Sequence, residues 1–213
     1  MIVNDRIVTY IHSLDKANTP LLEQIEREAI ENGVPIIRKE MESFLRVMLN
    51  ISRPKKILEL GTAVAYSAIL MSECLDEDAK ITTIENYEPR IIEAKKNIEA
   101  AGKSDVITLL EGDALEIMKG LSGEYDFIFM DAAKAQYINF LPEVMRLLKK
   151  GGILISDNVL QEGDLVESKF ATRRRDRTIH TRMREYMYQV KNMPELETTI
   201  VPIGDGITMS VKK

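Results

Sequence analysis

The 213-residue sequence has one cysteine, no tryptophan, two histidines and no long apolar run. A lone cysteine, Cys74, excludes an intrachain disulfide and points to a cytoplasmic home. Within ILMSECL it reads as a packing residue, since no histidine stands near it to generate a thiolate. No stretch approaches the ~18 apolar residues that a membrane span needs. The opening MIVNDRIVTYIHSLDK has acids where a signal peptide would carry a continuous apolar core. With 45% apolar and 30% charged residues, and no repeat or linker, the chain reads as one soluble domain over residues 1–213.

The formal charge of −5 is unevenly spread. Lys169, Arg173, Arg174, Arg175, Arg177, Arg182 and Arg184 share a short stretch with a single acid, Asp176. That stretch carries +6 and leaves −11 for the remainder. A basic stripe on an acidic body suits an anionic partner at one place, or else a solvated helix face or a self-contact. Ile179, Met183, Tyr186 and Val190 would be the inward face of a helix here, with the arginines outward.

Residues 1–50 read as a helical cap. Leu21, Leu22, Ile25 and Ala29 share one helix face, which Asn32-Gly33 would end. Pro35 would open a second helix with Met41, Phe44, Leu45, Met48 and Leu49 inward. Over residues 55–213 the pattern changes. KKILEL, KITTIE, VITLLEG, YDFIFMD and GGILISDN read as strands, and 65–75, 89–101, 114–121 and 137–148 as helices. That alternation predicts an α/β fold, a doubly wound Rossmann-like sheet that is mostly parallel and covered on both faces. LETTIVPIG and GITMSVKK, joined at Gly204-Asp205-Gly206, predict an antiparallel hairpin at the sheet edge.

Ligands of such sheets sit at the carboxyl ends of the strands. Those ends read Glu59-Leu60-Gly61, Glu85, Gly112-Asp113-Ala114, Asp131 and Asp157-Asn158. GTAVAYS has one glycine and no lysine, which argues against a triphosphate loop. Gly61 still lets a ligand approach the backbone, and Glu59 is placed to accept from a ligand amine. Glu85 is placed to hold both hydroxyls of a ribose, or to cap the next helix. Asp113 either accepts from an adenine amine or caps its helix. Ser67 could meet a carboxylate near a helix N-terminus, and Ile37 could cover the ligand from the cap. An acid-rich cradle without phosphate donors suits S-adenosylmethionine, a sulfonium with an ammonium group; an NAD-type dinucleotide is the alternative.

Asp131, Asp157 and Asn158 end two strands that should be neighbours. Two carboxylates and an amide oxygen are hard ligands, suited to Mg²⁺. Alone, each acid reads equally as a strand-end cap. Lys134, three residues after Asp131, is a candidate base, and a nearby divalent ion would disfavour its ammonium form. Tyr137 and Asp205 lie on segments placed to border an acceptor. His12 and His180 have no evident partner.

From about residue 35 onward the chain resembles the cation-dependent class I O-methyltransferases, the group that holds the catechol and caffeoyl-CoA enzymes. The matching stretches are LELGTAVAYSA, TIE, EGDA, FMDAAKAQY, LISDNVL and VPIGDGITMS. DAAK and DNVL with TRRRDR are similar to the bacterial tRNA 5-hydroxyuridine methyltransferases. The resemblance implies a class I methyltransferase sheet and S-adenosylmethionine held by Ile37, Glu59, Gly61, Ser67, Glu85, Gly112, Asp113, Ala114 and Asp131. It implies Mg²⁺ on Asp131, Asp157 and Asn158, a lysine base at Lys134, and a homodimer. For the tRNA group it implies methylation of wobble 5-hydroxyuridine to 5-methoxyuridine, with Arg173, Arg174, Arg175 and Arg177 on phosphates. For the catechol group it implies a small molecule with vicinal hydroxyls. Many relatives carry an acid where this chain has Ala133.

Overall fold

The computed structural model describes residues 2–213. Three helices come first: α1 (Asp5–His12), α2 (Pro20–Glu31) and α3 (Lys39–Ser52). Pro20 opens α2 where its missing N–H costs nothing, and Leu22, Ile25 and Ala29 are its buried face. Pro35 does not open α3 as the periodicity suggests. Residues 35–38 take no regular secondary structure, Arg38 is the N-cap with extended backbone at φ −78° and ψ 160°, and the helix starts at Lys39.

Seven strands then alternate with helices. They are β1 (Lys56–Leu60), α4 (Tyr66–Ser72), β2 (Lys80–Glu85), α5 (Glu88–Ala100), β3 (Ile107–Glu111), α6 (Ala114–Gly120) and β4 (Tyr125–Met130). After them come α7 (Tyr137–Leu147), β5 (Leu148–Ser156), α8 (Arg177–Asn192), β6 (Leu196–Val201) and β7 (Ile207–Lys212). All strands join one sheet in the order β3-β2-β1-β4-β5-β7-β6. The first five are parallel, and β7 pairs antiparallel with both β5 and β6. The hairpin expected at the edge is therefore present with its last strand inside the sheet.

The sheet is covered on both faces. Leu22, Ile25, Leu45, Leu49, Ile69 and Leu70 pack with Ile57, Phe127 and Phe129 on one side. Met118, Phe140, Val144, Met183, Tyr186 and Val190 pack with Leu58, Ile128 and Met130 on the other. Each wholly buried side chain of this size contributes about 2 kcal/mol by leaving water. This two-sided burial is why the strands read as apolar runs rather than alternating ones. Among the described residues no helix is long and apolar enough to cross a membrane.

The basic stripe is not one helix. Arg174–Asp176 forms a 3-10 turn, and α8 begins only at Arg177. Arg173, Arg174 and Arg175 are exposed, whereas Arg182 on α8 donates to the Ala135 carbonyl at 3.1 Å. Ile179, expected inward, is half-buried, and His180 takes a buried place on that face.

Candidate active site

The order β2-β1-β4 puts the reversal point of the sheet between β1 and β4, and both strands end there in parallel. Gly61 N donates to the Ile84 carbonyl at 3.1 Å, and Asp131 N donates to the Leu60 carbonyl at 2.9 Å. Gly61 has φ +98°, and a Cβ on it would fall 2.1 Å from the Asp131 carbonyl oxygen. Only glycine lets the two strand ends run this close. Ala63 and Ala65 also have positive φ, at 46° and 64°, so the turn into α4 is tight throughout. Strained backbone of this kind persists where the surroundings fix it, commonly at functional sites.

A cavity of about 590 Å³ opens over these ends. Its size is that of an ordinary small-molecule pocket. Ile37, Gly61, Ser67, Glu85, Gly112, Asp113 and Ala114 line it on one side, and Asp131, Lys134 and Asn158 on the other. Thr62, Asn86, Tyr87, Arg90, Gln136 and Phe140 line it as well, although the sequence reading passed over them. Asn86 and Tyr87 directly follow a strand end, and that position was the signal available for them.

The acids have distinct tasks. Glu85 Oε2 accepts from Ala63 N at 2.9 Å, and its Oε1 accepts from Asn86 N at 2.9 Å and Tyr87 N at 3.0 Å. Oε2, with a single backbone partner, keeps a lone pair for a ligand hydroxyl. Asp113 is the N-cap of α6, its Oδ1 accepting from Leu115 N at 3.0 Å and Glu116 N at 3.1 Å. It also faces the cavity.

Glu59 departs from the expected contact. It is fully buried behind the cavity wall, accepting from Ser67 Oγ at 2.5 Å and Thr83 Oγ1 at 2.6 Å. Ser67 is thereby committed to Glu59 in this structure. Burial pushes the Glu59 carboxyl up to about 7, although both hydroxyls pull it down. A raised carboxyl supports the fold while protonated and loses that support as pH climbs through its folded value. From pH 5 to 8 this group alone should therefore cost about 3 kcal/mol of stability. Glu59→Gln should lose correspondingly less over that range, which urea unfolding at both pH values would reveal. Equal losses for both proteins would refute the assignment.

Asp131 and Asp157 end adjacent strands, whose last paired residues are Met130 and Ser156. Asp157 N donates to the Met130 carbonyl at 3.0 Å. The fully buried Tyr137 lies beneath them rather than beside an acceptor, its hydroxyl reaching the carbonyls of Met130 at 3.0 Å and Asp157 at 3.1 Å. Burial raises both acids; the Asp131 charge raises Asp157 further, while Lys134 opposes the rise in each. Asn158 has φ +55°, and its N donates to Asp157 Oδ1 at 2.6 Å. Two carboxylates so close and so dry repel each other, which a divalent cation would relieve. The donor set of two acids and an amide oxygen fits a hard ion such as Mg²⁺. Among the described residues no three His, Cys, Asp or Glu side chains gather as a metal site, in keeping with Ala133 standing where an acid could be.

Residues 12–213 match the family described as O-methyltransferase. The chain belongs to the O-methyltransferase family. This O-methyltransferase is 32% identical over 179 residues to caffeoyl-CoA O-methyltransferase 1 of Eucalyptus globulus, spanning 78% of this chain and 70% of that protein. It is 33% identical over 144 residues to the catechol O-methyltransferase of Niastella koreensis, spanning 64% of this chain and 65% of that one. The O-methyltransferase from Bacillus cereus, solved with SAH, shares the fold with a TM-score of 0.87 at 23% identity, over 98% of this chain and 97% of that one. The family makes the methyl donor S-adenosylmethionine. The cradle is consistent with it: carboxylates face the cavity, and no lysine stands in the glycine turn.

Proposed function

We propose that this O-methyltransferase methylates one hydroxyl of a small molecule bearing vicinal hydroxyls, with Mg²⁺ as its cation. The observation that carries this reading is the corner formed by Asp131, Asp157 and Asn158 beside the Gly61 cradle. A hard cation held there would lower the pKa of an acceptor hydroxyl and fix its direction. The chain's own residues do the rest. Asp131 and Asp157 supply the negative charge that retains the cation. Lys134, on the cavity wall next to Asp131, takes the hydroxyl proton. Gly61 and Glu85 hold the donor so that its methyl faces the acceptor oxygen. Holding both reactants in line is worth on the order of 7 kcal/mol of the barrier. Similarity to the caffeoyl-CoA and catechol enzymes supports this acceptor class.

The exposed arginines favour a second reading, 5-hydroxyuridine in tRNA. Arg173, Arg174 and Arg175 face solvent just before α8, which Arg182 ties to the Ala135 carbonyl. One experiment separates the two. Methyl-labelled donor is incubated with 3,4-dihydroxybenzoate and, in parallel, with tRNA lacking 5-methoxyuridine. Label on the catechol, lost in chelator and restored by Mg²⁺, is the expected result. Label on tRNA alone, falling steeply with salt and lost when Arg173, Arg174 and Arg175 become Ala, would replace it.

A further inference from the structure

Arg38 closes the segment whose Pro35, Ile36 and Ile37 line the cavity. Its Nη2 donates to Asp205 Oδ2 at 3.0 Å and to Glu162 Oε1 at 3.3 Å. These partners lie 167 and 124 residues away in the chain. Asp205 is buried, and its other oxygen, Oδ1, has no partner among the described residues. Arg38 is thus the cation that compensates this carboxylate, and without it an unpaired charge would stay buried.

The turn that carries Asp205 in turn holds the chain beyond β5. Leu160 N donates to the Asp205 carbonyl at 2.9 Å, and Val159 N donates to the Gly206 carbonyl at 2.8 Å. Gly206, at φ +81°, lies so near Leu160 that a Cβ would fall 2.4 Å from Leu160 Cγ. The segment so held contains Asn158, Gln161 and Glu162, with φ of 55°, 50° and 55°. Non-glycine residues keep such a conformation only where their surroundings over-determine it.

We propose that Arg38 is a positioning residue, a latch whose ion pair with Asp205 ties the donor wall to the 158–162 loop and so fixes where Asn158 presents its side chain. The inference rests on the chain being an O-methyltransferase and on no particular acceptor. It makes Arg38 contribute to the reaction without touching donor or acceptor.

The test compares the parent with Arg38→Ala, Asp205→Asn, the double variant and Arg38→Lys. Amide hydrogen exchange needs no acceptor, so it reads the latch even if the catechol reading fails. In Arg38→Ala and in Asp205→Asn, the Val159 and Leu160 amides should exchange about tenfold faster or more, with the β4 amides unchanged. With whichever acceptor the parent methylates, kcat should fall roughly 10- to 100-fold while the donor KM stays within about threefold. The double variant should be no worse than either single one, as for residues acting through one contact. Arg38→Lys should recover part of the loss. Unchanged exchange at Val159 and Leu160 overturns the proposal. So do multiplying losses, or exchange that accelerates across the whole sheet, which would mean that Arg38 merely holds the fold. Should Arg38→Ala not fold, Asp205→Asn and Arg38→Lys decide by the same readings.

Discussion

Exchanging Asp131 for asparagine is expected to cut methyl transfer by about a thousandfold or more, a barrier increase of about 4 kcal/mol, while the protein stays folded. The substitution keeps the shape of the side chain and its place at the end of β4, where the backbone N–H is held by the Leu60 carbonyl. It removes one of the two charges that would retain a hard cation, and an amide oxygen is the weaker ligand. Donor binding should change little, because Gly61, Glu85 and Asp113 remain in place. Stability offers a second reading of the same variant. In chelator, Asp131 and Asp157 are like charges buried side by side, and the Asp131 charge raises Asp157. Removing one charge relieves that repulsion, so the variant should melt no lower than its parent. Labelled-donor turnover and thermal melts in chelator measure both. A loss below tenfold would move the chemistry away from this corner.

Gly61→Ala should be the most damaging single change to the fold. The new methyl would fall 2.1 Å from the Asp131 carbonyl oxygen and 2.8 Å from its carbon, both backbone atoms of the neighbouring strand. Neither β1 nor β4 can retreat, since Phe127, Ile128, Phe129 and Met130 are fully buried and paired along β1. Positive φ adds its own penalty for a side chain. A loss of about 4 kcal/mol or more is expected from denaturant unfolding, together with loss of donor binding. Gly102→Ala is the control, since Gly102 has φ +63° and, among the described residues, nothing within 4 Å of a Cβ. It pays for backbone strain alone, about 1 kcal/mol. Similar losses at the two positions would refute the close approach of β1 and β4.

Much of this architecture was legible because the physics is local. KITTIE and YDFIFMD are short stretches rich in β-branched and aromatic residues, and both became interior strands with the expected bounds to within a residue. The parallel pairing of β1 to β5 was expected from their alternation with helices. Legibility failed where tertiary contacts overrule periodicity. Pro35 resembles a helix start, but Pro35, Ile36 and Ile37 line the cavity without forming a helix, and α3 waits until Lys39. Gly151-Gly152 looked like the start of the fifth strand, whereas β5 begins at Leu148, across a register shift opposite Tyr125 and Phe127. The arginines read as one helix and are split by a 3-10 turn. At the site, acids ending strands were visible because a parallel sheet sends its strand ends to one edge. The burial of Glu59 was not, since Ser67 and Thr83 reach it only after α4 and β2 are packed. Nor was Arg38, whose partners are more than a hundred residues distant.

The sheet order has a consequence for how such a protein can change its trade. The cavity draws on the ends of β1, β2 and β3 on one flank and on those of β4 and β5 on the other. The halves are joined along the whole β1–β4 pairing, which ends in the Gly61–Asp131 seam, and again through the Arg38 bond. Substitutions at that junction are therefore felt on both flanks, whereas the exposed Arg173, Arg174 and Arg175 can be exchanged at little cost to the fold.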